Sequence, residues 1–533
     1  MPLFAPADRS LAETLFAINE ANPFVPERLE LERRFLGPVF VDVGSARSRV
    51  PDVQESQGVS PNSARLLEGA EGLLGRARGR LDELGSRRVA TDELELYENA
   101  AFFTLYYRWQ ERLTELARAE AARPAPTAER AEDGKGQGLG VPWYPRFREQ
   151  ALAALRPGGR RLALDLEPAL LLSFFFQIAR AFHQIYSNII GRSDAAVRLR
   201  AAVWQSIFTH DIRRYQRSVY RHMRDLATLV TGPSGTGKEL VARAVGLSGF
   251  LPFDEERKSF AAAASERFLP LNLTALSPTL IESELFGHKR GAFTGALGDR
   301  RGWFEACPAH GAVFLDEIGE ISQEIQLKLL RVLQTRAFQR LGETAPRTFR
   351  GKLVSATNRD LEDAMARGTF REDLYYRICS DRIVTPSLAE QIDGSMDELR
   401  VLALFVATGL LGEEAVDLAD EVVERVETSL GRDYPWPGNF RELEQCVRNV
   451  LVRREYRPRV AGPEGGHGDD ARAELALAFE RGEKSADEIL RGYCTLVYAD
   501  RGSFDGAARV LGLDRRTVKA KVDPEILRRL RGA

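Results

Sequence analysis

Two early stretches of the chain carry apolar residues at three- and four-residue spacing: SARLLEGAEGLLGRARGRLDEL (63–84) and ENAAFFTLYYRWQERLTELARA (98–119). That period lays the apolar residues along one face of a helix, so the first part of the chain is predicted to be mostly helical. The most apolar run, ALLLSFFF (169–176), is followed by Gln177 and Arg180. It falls short of the roughly 20 apolar residues that span a bilayer and reads as a core helix. From about Ile189 the pattern changes. Short β-rich runs, ATLVTG (227–232), GAVFLDE (311–317) and GKLVSATN (351–358), alternate with helical stretches. Such alternation predicts an α/β domain with a parallel sheet. Two segments rich in Ala, Pro, Gly and charge, 121–142 and 457–470, read as linkers. No internal repeat is evident.

A chain of 533 residues is too long for one hydrophobic core and predicts several domains. With a formal net charge of −2, attraction to nucleic acid or membrane has to be local. Cys307, Cys379, Cys446 and Cys494 lie far apart without C-x-x-C spacing, which argues against a zinc site or a disulfide framework and fits a reducing cytoplasm. The N-terminus, MPLFAPADRS, lacks the basic start and apolar run of a secretory signal.

The chemistry concentrates in the α/β region. The strand-like LATLV (226–230) runs into Gly232-Pro233-Ser234-Gly235-Thr236-Gly237-Lys238, then Glu239 and the helical LVARAV. Glycines let backbone amides wrap round phosphate oxygens, the following helix adds its positive end, and Lys238 brings a charge to the β- and γ-phosphates. The segment reads as a P-loop for a nucleotide, with Glu239 standing where a hydroxyl for Mg²⁺ is usual. The buried run Ala312–Leu315 ends in Asp316 and Glu317, two carboxylates at a strand tip. Asp316 suits a metal ion held through water, and Glu317 suits polarisation of an attacking water. A third run ends at Asn358, whose amide could bond a phosphate or that water.

Residues 287–296, GHKRGAFTGA, place Phe293 among glycines that favour a loop. Two readings stand: a turn whose Phe293 folds back on its own domain, or a contact for a partner.

Together these motifs resemble the AAA+ domain of bacterial enhancer-binding proteins, the activators of sigma-54 RNA polymerase, over roughly residues 189–456. GPSGTGKE, ESELFGHKRGAFTGA (282–296), FREDLYYR (370–377) and YPWPGNFREL (434–443) carry the likeness. The resemblance implies an α/β AAA+ P-loop ATPase core (189–385) with a helical lid (386–456), between a mostly helical N-terminal regulatory region (1–188) and a C-terminal helix-turn-helix domain (471–533). It implies that Asp316 and Glu317 are the Walker B pair, Asn358 sensor I, and Asn272 a switch paired with the catalytic glutamate. By the same likeness Arg371 and Arg377 are arginine fingers reaching a neighbouring subunit's γ-phosphate, which calls for a homo-oligomeric, hexameric ring. Arg441 is then sensor II, and Phe293 and Thr294 grip sigma-54. ATP and Mg²⁺ are the implied cofactors. The sequence departs from the family at Leu273, where a Cys is usual, and at TPSLAEQ (385–391), which loses an arginine and weakens the expected coupling of lid to ring. Residues 248–268 look like a surface insertion.

The last 33 residues hold nine Arg or Lys against four Asp or Glu. SFDGAARVLGLDRRTVKAKVD (503–523) resembles a Fis-type helix-turn-helix: Ala507, Val510 and Leu511 face inward, Gly512 turns, Asp514 caps, and Val518 and Val522 pack the second helix. Arg515, Arg516 and Lys519 would face the groove of double-stranded DNA, with Lys521 nearer phosphate. No receiver domain is found in residues 1–188; the nearest match, around Asp42, stands alone. The reading is a cytoplasmic ATPase that binds an upstream DNA site and opens promoters held by sigma-54 polymerase. The alternatives are a DNA-binding regulator that does not engage sigma-54, and a general AAA+ remodeller.

Overall fold

A computed structural model describes residues 2–41, 62–85, 87–123, 138–160, 162, 164, 166–260, 267–458, 485–524, 526 and 527. Asp42, most of the 121–142 segment and most of the 457–470 segment lie outside them. The chain divides after Glu455 into two units.

The first unit is built on a five-stranded sheet in the order Asp381–Val384, Thr228–Thr231, Lys352–Thr357, Ala312–Asp316, Phe268–Asn272. All four pairings are parallel. Numbered along the chain, the strand order is 5-1-4-3-2, so the P-loop strand lies inside the sheet between strands 5 and 4, and the crossovers cover both faces. Residues 312–315 are all but fully buried, as a strand covered on both faces requires. Register places Asn272 beside Asp316 and Thr357 beside Thr231, so the strands end together and their following loops meet at one edge. Beyond the sheet, helices Leu388–Ile392, Met396–Leu411, Ala415–Ser429 and Asn439–Arg453 bury Leu402, Val422, Leu443 and Val447 in an apolar seam.

The N-terminal part is helical, as its periodicity predicts. Helix Ser63–Leu84 buries Leu66, Ala70, Leu73, Ala77, Leu81 and Leu84. Helix Pro168–Asn188, which contains ALLLSFFF, is a core helix, with Phe174, Phe175 and Phe176 buried. The same helix packs against the P-loop helix, so N-terminal helices and ATPase sheet share one unit. The described part of residues 248–268 corrects the expectation of a surface insertion. Phe253–Asp254 and Ser259–Phe260 form a hairpin that also pairs with Leu139–Gly140. Its aromatics point inward: Phe260 packs 4.3 Å from Phe176 and Phe253 lies 4.5 Å from Tyr144, centroid to centroid. Burying two rings gives an insertion a structural role that its sequence, read for length alone, hides.

Among the described residues no helix is long and apolar enough to cross a membrane, and the four cysteines are free.

The second unit has helices Ala486–Arg501, Phe504–Leu511 and Arg515–Lys521 around Val497, Ala507 and Val518. Leu511 and Val522 pack against this core as expected. Val510 does not: it is 49% exposed and points outward. Phe504 takes its place inside, stacking on Tyr498 at 4.2 Å. At about 100° per residue, positions 504, 507 and 511 fall within about 60° of one another, whereas 510, although three residues after 507, lies about 100° from 511.

Candidate functional site

The P-loop connects strand Thr228–Thr231 to helix Lys238–Leu247. Gly232, Gly235 and Gly237 all have positive φ (147°, 77° and 83°), which turns successive amides toward one concave side. Space enforces glycine as well: a Cβ on Gly235 would sit 2.6 Å from the Gly438 carbonyl, and one on Gly232 would collide with Thr385. Lys238 donates to the Gly232 and Pro233 carbonyls, 3.0 Å each, so its ammonium lies inside the loop. Burial holds its pKa below the usual lysine value, while the Glu317 and Asp316 charges oppose that shift. An ammonium short of solvation, facing two carboxylates inside a ring of amides, suits a phosphate chain.

Asp316 ends its strand half-buried, and burial, then the charge of Glu317, raises its pKa. A cation there would relieve both effects, which fits a site for Mg²⁺ held by one carboxylate together with phosphate oxygens and water. Among the described residues no cluster of three or more ligating side chains exists, so the phosphates would have to complete the shell. Glu317 adopts left-handed geometry, φ 56° and ψ 49°, an uncommon conformation for a residue with a side chain and one that concentrates at active sites. Its carboxylate accepts the Asn358 backbone N–H at 3.2 Å. Glu317 and Asn358 are thus brought together. Asn272 is not: its carboxamide oxygen accepts from the Thr274 amide (3.0 Å) and hydroxyl (2.7 Å), although its backbone lies in register with Asp316.

The lid reaches the P-loop through the turn after Trp436. Asn439 donates to the Ser234 carbonyl (2.9 Å) and accepts from the Leu388 amide (2.8 Å). The Phe440 amide donates to the Gly235 carbonyl (3.0 Å), and Arg441 donates to the Ser234 hydroxyl (3.0 Å). Thr385, which opens the divergent TPSLAEQ segment, meets the Thr236 hydroxyl at 2.6 Å and the Thr231 carbonyl at 3.2 Å. Ser387 and Glu390 form a capping box that starts the first lid helix. The lid is therefore joined to the loop despite the lost arginine. Sequence reading missed Thr385 and Asn439; the signal available was a hydroxyl directly after the last strand and an Asn directly after Pro-Gly.

Arg371 lies on the surface and is paired with Asp373 at 2.7 Å; Arg377 is exposed. Neither approaches this chain's own P-loop through any described contact.

The GAFTGA segment closes a hairpin whose stem pairs Gly287–His288 with Arg300–Arg301, reinforced by Lys289 to Asp299 at 2.6 Å. The tip is a turn in which Gly291 donates to Ala296 (2.9 Å) and Ala296 to Phe293 (3.0 Å). Phe293 is half-buried, its ring centroid 5.0 Å from that of buried His288 in an edge-on arrangement, while Thr294 is exposed. The most exposed apolar side chain of the loop is Leu297, at 90%, which the sequence reading passed over.

In the second unit Asp514 caps its helix, accepting from the Arg516 (2.9 Å) and Thr517 (3.0 Å) amides. Arg515, Arg516 and Lys519 are exposed, with Arg515 3.4 Å from Asp505. Lys521 is paired with Asp487.

Residues 206–384 match the family model described as the sigma-54 interaction domain. A Nif-specific regulatory protein of Herbaspirillum seropedicae is 40% identical over 279 residues, 52% of this chain and 45% of that protein. One from Rhodobacter capsulatus is 43% identical over 229 residues, 43% of this chain and 36% of its own length. The regulatory protein LuxO of Vibrio cholerae is 39% identical over 250 residues, 45% of this chain and 50% of that protein. The chain thus spans half or less of the length of these relatives. Over residues 206–384 the chain is thus similar to a sigma-54 interaction domain.

Proposed function

We propose that this protein is a cytoplasmic, hexameric ring ATPase that binds an upstream site on double-stranded DNA and drives sigma-54 RNA polymerase from closed to open promoter complex. The observation that carries the reading is the convergence of Lys238, Asp316, Glu317 and the Asn358 amide at one edge of the sheet. In this reading the amides from Gly232 to Lys238, with Glu239 following, hold the phosphates of ATP. Asp316 holds Mg²⁺, which neutralises developing phosphate charge when bound. Glu317 orients water, and its bond to Asn358 sets the carboxylate's direction. Asn272 leaves Thr274 to meet Glu317 in another nucleotide state.

Arg371 and Arg377 act on the neighbouring subunit's ATP. The pairing of Arg371 with Asp373 is solvent-exposed and therefore cheap to exchange for a γ-phosphate. Arg441 and Asn439 report the nucleotide to the lid, and the hairpin bearing Phe293 and Thr294 meets sigma-54. Residues 1–188 regulate, 189–385 and 386–456 are the two ATPase subdomains, and 471–533 read DNA through Arg515, Arg516 and Lys519. Lys521 joins them on a phosphate after releasing Asp487.

A subunit-mixing experiment tests the shared site. Arg371→Ala and Lys238→Ala chains are each inactive as ATPases, and mixed rings recover a fraction of the parent rate because some interfaces pair a good P-loop with a good finger. Mixed rings, verified by mass, that recover nothing at any ratio contradict the reading.

A further inference from the structure

A cavity of about 100 Å³ lies among the N-terminal helices and helices Asp194–Phe208 and Ile212–Arg217, and no P-loop residue lines it. Its walls are aromatic, with Phe102, Tyr106, Phe175 and Trp204 among them. We propose that this cavity binds a neutral, single-ring molecule carrying one hydrogen-bonding group. The site stands independently of the ATPase reading.

Size sets the first limit. An apolar cavity of about 150 Å³ accepts benzene, so this smaller one admits at most a single ring. Charge sets the second. The two guanidiniums at the wall are already engaged: Arg28 with Glu32 (3.0 Å), the Ile18 carbonyl (2.8 Å) and the Tyr107 hydroxyl (3.0 Å), and Arg213 with Glu98 (3.1 Å) and Glu95 (3.3 Å). Glu20 accepts the Ile212 amide at 3.2 Å, and burial with the nearby Asp211 raises its pKa. A charged ligand would have to break one of these pairs, whereas a neutral ring leaves them whole.

Polar demand sets the third. Gln216 lines the void at 8% exposure, and among the described residues its carboxamide makes no hydrogen bond. A carboxamide that faces the void without a protein partner offers a bound hydroxyl or amide one hydrogen bond in place of water. The Tyr106 hydroxyl, on the same wall, likewise has no hydrogen bond among the described residues. An occupant touches helix Ile212–Arg217, which two short 3-10 turns separate from the P-loop strand.

Phenol is the probe, titrated into the full chain by calorimetry, with benzoate as the charged control. Phenol binds saturably with one site per chain, and benzoate binds at least tenfold more weakly. Gln216→Leu keeps the volume, leaves the melting temperature unchanged or raised, and weakens phenol about tenfold by removing one hydrogen bond. Ile178→Phe fills the void from helix Pro168–Asn188 and abolishes binding. No saturable phenol binding to the parent, or equal binding in the parent and Gln216→Leu, overturns the proposal and leaves the cavity to ordered water.

Discussion

The two ends of the parallel sheet handle charge in opposite ways. At the nucleotide edge, the open end, Asp316 and Glu317 are half-buried and reach solvent beside the buried Lys238, each on the loop or tip that follows a strand. At the foot of the sheet, charge is enclosed. Glu120, on helix Thr91–Ala121, lies between Arg180 (2.8 Å) and Arg267, all three side chains 3% exposed or less. Arg180 also donates to the carbonyls of Leu247 and Gly249 at the end of the P-loop helix. The Arg267 carbonyl accepts from Ala312, the first residue of the strand that carries Asp316 and Glu317. One carboxylate of the N-terminal region thus sets the bottom of both elements that carry Lys238, Asp316 and Glu317 at the top. The open end is the proposed place of chemistry; the closed end fixes geometry. A buried ion cluster adds little net stability over an apolar replacement, so its value lies in which arrangement it selects.

The largest expected effect is at the open end. Glu317→Gln retains ATP affinity and lowers turnover roughly 10²–10⁴-fold, as loss of a group that orients water does. Lys238→Ala loses binding instead. Steady-state ATPase assays beside equilibrium nucleotide binding separate the two, and parental turnover in Glu317→Gln would remove it from catalysis.

At the closed end, Glu120→Gln strands two buried guanidiniums and costs about 3–5 kcal/mol in urea denaturation. The triple change Glu120→Met, Arg180→Leu, Arg267→Met returns stability to within about 1–2 kcal/mol of the parent, because it removes the charges along with their desolvation. A triple variant as unstable as Glu120→Gln would show that the cluster itself stabilises.

Between the ends, Asn439→Ala breaks two bonds of a 4% exposed side chain and costs about 1–3 kcal/mol, with weaker ATP binding in the same variant. Unchanged nucleotide affinity would separate the lid from the loop.

The smallest effect is a pH slope. Lys352, at the foot of its strand, donates to the Leu226 carbonyl at 2.6 Å, and burial lowers its pKa to about 8. Between pH 8 and the ordinary value of 10.5 the unfolded chain binds the extra proton, so the cost of enclosing this cation applies fully below pH 8 and is relieved as pH rises through that window. Measured against Lys352→Met, the parent gains stability from pH 8 to 10.5. A flat or falling difference contradicts the enclosed cation.

This contrast also explains what the sequence discloses. The P-loop, the Asp316-Glu317 pair and the GAFTGA hairpin are each contiguous, because a loop that follows a strand keeps its chemistry within a few residues. The order of the apolar runs likewise discloses the parallel sheet. Glu120 and Arg267 are 147 residues apart and obey no spacing rule, so only the fold joins them. Val510 departs from expectation because its three-residue step from Ala507 does not show that Phe504 shifts the buried face to the other side of Leu511. Phe293 falls between the two readings its sequence leaves open, half-buried against His288, because nothing in GHKRGAFTGA announces that His288 stays buried.

In the proposed function, ATP hydrolysis at the open end is delivered through the hairpin to sigma-54 polymerase. Open-complex formation, followed by permanganate reactivity of a sigma-54 promoter carrying the upstream site, tests it most directly when parent and Phe293→Ala chains are compared at matched ATPase rates. The account predicts that both chains hydrolyse ATP alike and only the parent opens the promoter, in an ATP-dependent way. Equal promoter opening by Phe293→Ala, or none by the parent while it hydrolyses ATP, would contradict it.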